Sequence, residues 1–194
     1  MTRAEEEVAV FHRKSLGFWV YLMTDCVLFA TLFVVFAVLR TATAGGPSGA
    51  DIFDLNFVLI ETMILLTSSF TVGLALLGAE RGYKKQTILW LAITFLLGAA
   101  FLTMELWEFS QLIGEGHGWQ QSAFLSSYFV LVGTHGLHIA VGLLWMAVVV
   151  FRLIQRRFKE TDVRRLSILS LFWHFLDIIW IFIFSFVYLI GGLA

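Results

Sequence analysis

Three pairs of ionisable residues recur at a spacing of three: Glu105 with Glu108, His135 with His138, and His174 with Asp177. On a helix this spacing puts both members of a pair on one face. Each pair lies inside a long apolar run, as do Asp25 and Glu61. Carboxylates and imidazoles so spaced on neighbouring helices can grip a di-metal centre in a bundle core. The same residue types also make interhelical hydrogen bonds, which demand no common depth. A charged side chain at the centre of a bilayer costs about 2.5–3.5 kcal/mol even on the lenient insertion scale, so each of the eight needs a partner, a proton or a role. Their faces are therefore expected to turn inward.

A rise of about 1.5 Å per residue sorts the eight into two layers. Asp25, His174 and Asp177 fall roughly 10–15 Å from the span ends that adjoin the basic loops, with His138 deeper toward the centre. Glu61, Glu105 and Glu108 lie within roughly 6 Å of the opposite ends, and His135 is intermediate. This separation argues against one metal centre built from all three pairs. Haem fails on ligand count. Of five histidines, His12 and His117 lie outside the apolar runs, whereas an oxidase centre with two haems and a three-histidine copper needs about six well-placed imidazoles. The lone Cys26 makes neither a two-cysteine copper site nor a disulfide framework. If such a chain serves electron transfer, another chain must hold the redox centres.

The elements that position these residues follow from composition. Of 194 residues, 59% are hydrophobic and only 14% charged, against roughly 25% charged in a soluble domain. The net charge of −1 leaves no basic footprint for nucleic acid. About 20 consecutive apolar residues cross the hydrocarbon layer as a helix. Five segments qualify: Leu16–Leu39, Phe57–Ala79, Thr87–Phe109, Ala123–Phe151 and Ser167–Leu193. The prediction is an all-α, polytopic five-helix membrane bundle: a short polar segment over 1–15, then a single membrane domain over 16–194. The first span follows the acid-containing stretch Met1–Ser15 and lacks a small-residue cleavage site, so it is expected to be a permanent helix. Twelve Lys and Arg fall before span one, between spans two and three, and between spans four and five, against one in the alternate loops. By the positive-inside rule the N-terminus and the Arg152–Leu166 loop are cytoplasmic, and the C-terminus is outside.

The only proline, Pro47, sits in a Gly-rich loop and leaves every span free of a proline kink. Five spans cannot divide into equal halves, and no internal repeat is visible, which disfavours a stand-alone secondary carrier. Gly133, Gly136 and Gly142 let span four approach its neighbours. Trp19, Trp90, Trp119, Tyr83 and Tyr188 read as interfacial anchors, while Trp107, Trp145, Trp173 and Trp180 lie farther in or against the polar faces.

The segments GFWVYLMTDCVLF (17–29), GTHGLHIAVG (133–142) and LFWHFLDIIWIFIFSFVYLIGG (171–192) resemble subunit III of the haem-copper oxidases. The resemblance spans nearly the whole chain and is strongest to the five-helix subunit III of bacterial cytochrome o ubiquinol oxidases. It implies a non-catalytic subunit without haem or copper, packed on a catalytic haem-copper subunit I that carries both, in the bacterial inner membrane. Seven-helix relatives begin two helices earlier, so their lipid-holding cleft would need a wall from the catalytic subunit, and bound phospholipid is an expected partner. Asp25 falls where those relatives carry a buried Glu; the shorter side chain puts any role argued from the longer one in doubt. Glu105, Glu108, His135, His138, His174 and Asp177 match acids and histidines of the family pattern, whereas Glu61 does not. The resemblance thus implies a structural part in an oxygen-reducing, proton-pumping quinol oxidase. The alternatives are an accessory protein of a cytochrome c oxidase or nitric oxide reductase, or a proton or metal carrier.

Overall fold

Each apolar run folds as a helix, and the polar residues at its ends decide where it starts and stops. The computed structural model describes residues 3–155 and 158–191. Its helices are α1 (Arg3–Leu39), a single turn α2 (Gly49–Ile52), α3 (Leu55–Glu80), α4 (Lys84–Gly114), α5 (Ala123–Gln155) and α6 (Glu160–Ile183), the last running into a π-helical turn, Phe184–Leu189. All but α2 are long and apolar enough to cross a membrane. No strand occurs among the described residues. Met1, Leu193 and Ala194 lie outside the described residues, as do Arg156 and Arg157 of the basic loop.

The helices outrun the predicted spans for local reasons. Helix α1 starts at Arg3, without a break at the polar-to-apolar boundary near Leu16. Helix α6 starts at Glu160 rather than Ser167 because Asp162 accepts the backbone N–H of Lys159 at 3.1 Å. Glu160 and Asp162 also complement the helix dipole there. Asp54 caps α3, its Oδ1 accepting from the N–H groups of Asn56 and Phe57 at 3.0 and 3.3 Å. Helices α3 and α4 both end on a left-handed glycine, Gly82 (φ 76°) and Gly116 (φ 85°). In each case the next N–H reaches back five residues, Tyr83 to Gly78 and His117 to Leu112, which satisfies carbonyls that a membrane-embedded end could not leave bare.

Helices α3 and α4 form an antiparallel hairpin, α5 packs on α4, and α6 nests between α3 and α5. Helix α1 leans on α5 and more lightly on α6. Trp173 and Trp180 of α6 are fully buried with Phe29, Phe101 and Tyr128, while Leu16, Phe70, Leu96 and Leu144 point outward. An apolar exterior around an aromatic, polar-studded interior is the arrangement that lipid demands. Close approach rests on small residues at two places. A Cβ on Gly98 would stand 2.8 Å from the Trp173 ring, and one on Gly142 would stand 3.0 Å from it. Gly136 presses on the Glu105 carboxyl, whereas Gly133 meets only Phe109 at 3.6 Å.

Candidate functional site

The inner polar residues resolve into two separate contacts. Asp25 on α1 is buried, and its Oδ2 lies 3.6 Å from His138 Nε2 on α5, an ion-pair spacing rather than a hydrogen bond. The His138 ring is held by its other nitrogen, since Nδ1 donates to the Thr134 carbonyl at 2.7 Å, and it packs on Phe29 with centroids 5.3 Å apart. The second contact joins α3 to α6. His174 Nδ1 shares a 2.6 Å hydrogen bond with Ser69 Oγ and stands 3.9 Å from Asp177 Oδ2. Neither Asp177 oxygen has a hydrogen-bond partner, so Ser69, not Asp177, orients this imidazole. Its side chain remains 44% exposed.

The residues placed near the opposite ends meet as one cluster. Glu61 of α3 and Glu105 of α4 are fully buried, within electrostatic reach of each other and of Glu108. Glu108 accepts the Tyr188 hydroxyl at 3.0 Å, and Tyr188 and Tyr128 share a hydrogen bond of 2.9 Å between their hydroxyls. Two aromatic assignments are thereby corrected. Tyr188, expected as an interfacial anchor, is 0% exposed because the π-helical turn carries it inward. Trp107, expected farther in or against a polar face, is 54% exposed.

His135 stands between the layers. It is fully buried and neither ring nitrogen has a partner. Trp180 lies against it at 5.2 Å, with Phe101 at 6.0 Å and Phe29 at 6.4 Å. Two further interhelical bonds escaped sequence reasoning: Trp173 Nε1 donates to Ser68 Oγ at 2.9 Å and Trp180 Nε1 to Thr62 Oγ1 at 3.0 Å. Isolated Ser and Thr hydroxyls within an apolar run, such as Thr62 and Ser68, carry no distinctive sequence signal. Among the described residues, no three His, Cys, Asp or Glu side chains converge closely enough to hold a metal ion. The three membrane imidazoles point into different contacts, so haem and copper do not fit this donor set.

The family described as cytochrome c oxidase subunit III matches residues 2–192. The chain belongs to that family. It is 60% identical over 177 residues to a cytochrome bo(3) ubiquinol oxidase subunit 3 of Pseudomonas aeruginosa, covering 91% of this chain and 85% of the relative. A protein of the same description from Buchnera aphidicola is 48% identical over 182 residues, 94% of each chain. A cytochrome c oxidase subunit 3 of Bacillus subtilis is 43% identical over 179 residues, 92% of this chain and 86% of that one. In a subunit III chain the polar contacts read as connectors: Asp25–His138 joins α1 to α5, and Ser69–His174 joins α3 to α6.

Proposed function

We propose that this chain is the non-catalytic subunit III of a proton-pumping terminal ubiquinol oxidase, in which quinol oxidation is coupled to reduction of oxygen to water. The observation that carries the reading is the higher identity to relatives named as subunit 3 of a ubiquinol oxidase than to those named as subunit 3 of a cytochrome c oxidase. The work assigned to the chain is to stabilise a catalytic haem-copper subunit I and its proton-uptake and lipid environment in the bacterial inner membrane. Residues 16–194 act as one membrane domain behind a cytoplasmic segment 1–15. Lipid has a place to sit. An apolar groove of about 400 Å³ between α1 and the end of α6 is lined by Phe33, Phe36, Phe182 and Phe186, with Arg40 at its margin, which suits an acyl chain beneath a phosphate.

The test is purification of the native complex through a tag on this chain. A haem-bearing partner, a second subunit without a two-cysteine copper site and quinol-driven oxygen uptake are expected. A complex that accepts electrons only from cytochrome c would overturn the assignment. The charge bias makes a separate prediction, that a reporter fused after Ala194 is outside while one at Met1 is cytoplasmic; a cytoplasmic C-terminal reporter in the intact complex would refute the orientation. The chain separated in detergent is expected to hold no stoichiometric haem, copper, iron or zinc. One tightly held ion per chain, lost on replacing His138 or Asp177, would restore the metal-centre reading.

A further inference from the structure

Near the end of the bundle that carries Asp54, three carboxyls on α3 and α4 meet two phenols on α5 and the π-helical turn. Both oxygens of Glu61 and Oε2 of Glu105 are buried without a hydrogen-bond partner. Native interiors leave few such atoms, and an unseen water or ion is the usual explanation. Glu108 is only half-buried. It connects the interior, through Tyr188 and Tyr128, to the surface where Asp54 caps α3, near enough for the two charges to interact. On the inner side His135, the neighbour of the Gly136 that abuts the Glu105 carboxyl, also lacks a hydrogen-bond partner. No Lys or Arg among the described residues forms an ion pair with these three carboxyls.

Carboxylates gathered in a low dielectric repel one another and need a positive species among them. The donors do not converge closely enough to coordinate a metal ion, which leaves the proton and the water that carries it. The π-helical turn adds to the case. A sixth residue in the turn, seen as Ile190 N–H bonding Ser185 O at 3.1 Å, is what brings the Tyr188 hydroxyl to Glu108. Such turns are found frequently at functional sites.

We propose that Glu61, Glu105 and Glu108, with the hydroxyls of Tyr128 and Tyr188, form a buried site that holds water and at least one exchangeable proton, and that it communicates with the aqueous phase at the Asp54 end through Glu108. Loading breaks an O–H bond of a hydronium at the surface and makes one on a Glu108 oxygen. Passage inward breaks that bond and makes one on a bridging water that the Tyr188 hydroxyl, bonded to Glu108, holds in place, then breaks an O–H bond of that water and makes one on Glu61 or Glu105. No electron moves. The site is independent of the subunit assignment, because it rests on this chain's own side chains.

Infrared difference spectroscopy on the purified complex tests it. The wild type is expected to show the C=O stretch of protonated carboxyls, shifted on transfer to D2O. The band should disappear in Glu61→Gln or Glu105→Gln. Tyr188→Phe, which keeps the ring and so assembles even if the glutamine variants do not, should retain the band and slow its deuterium shift at least tenfold. A wild-type band that ignores D2O, or carboxylate bands that respond to sodium or calcium instead, would overturn the site. Exchange at the wild-type rate in Tyr188→Phe would overturn the route through Glu108.

Discussion

Alanine in place of Trp173 is expected to destabilise the bundle by about 3–5 kcal/mol and to release the subunit from its complex. In lipid no hydrophobic force drives helices together, so packing and interhelical hydrogen bonds carry association. Trp173 supplies both. Its ring fills the space that Gly98 of α4 and Gly142 of α5 leave open, and its Nε1 binds Ser68 of α3, so one side chain of α6 touches three other helices. Truncation leaves a cavity among all four. Trp173→Phe keeps most of the ring contact and drops the N–H, and should cost nearer 1 kcal/mol. Gly98→Ala pushes a methyl group against the ring and should cost about 1–3 kcal/mol by overpacking. The measurement is the fraction of complex that retains the subunit through detergent sedimentation, together with the thermal midpoint of the complex. Retention and a midpoint equal to wild type in Trp173→Ala would remove this residue from the account.

The contrast between Trp173 and Tyr188 shows what the sequence discloses. Apolar length gave five spans, because lipid imposes one length scale on every helix, and the i,i+3 spacing put Glu105 and Glu108 on one face of a helix. Spacing along one helix says nothing of the partner on the next. His174 and Asp177 share a face, yet the imidazole bonds Ser69, which no rule of spacing on α6 could reveal. Tyr188 lies near a span end, where tyrosine ordinarily anchors at the interface; only the π-helical turn, a tertiary outcome, carries it into the core. Gly98 went unnoticed for a related reason, since its neighbour in space, Trp173, is on a different helix. Glu61 shows the limit of the resemblance, which assigned it no counterpart, yet it sits in the same cluster as Glu105 and Glu108.

The Asp25 position separates structure from proton chemistry. Its carboxyl is buried on α1 and faces His138 Nε2, whose ring cannot easily turn away because Nδ1 is tied to the Thr134 carbonyl. Asp25→Leu removes the carboxyl that faces that nitrogen across the α1–α5 contact, at a cost of about 1–3 kcal/mol, and α1 should loosen from α5. Asp25→Asn keeps the shape and can still face Nε2 with a polar group, while it no longer titrates. Normal assembly and near-normal initial quinol oxidation are expected of the Asn variant, with any defect confined to proton yield per electron or to durability over many turnovers. The Leu variant should assemble poorly under the same conditions. The two are to be compared in one membrane preparation for assembly, initial rate and proton yield. If Asp25→Asn abolished the initial rate in a fully assembled, haem-replete complex, Asp25 would belong to the catalytic path, because a side chain that only joins two helices has no reason to stop electron flow when its shape and polarity are kept.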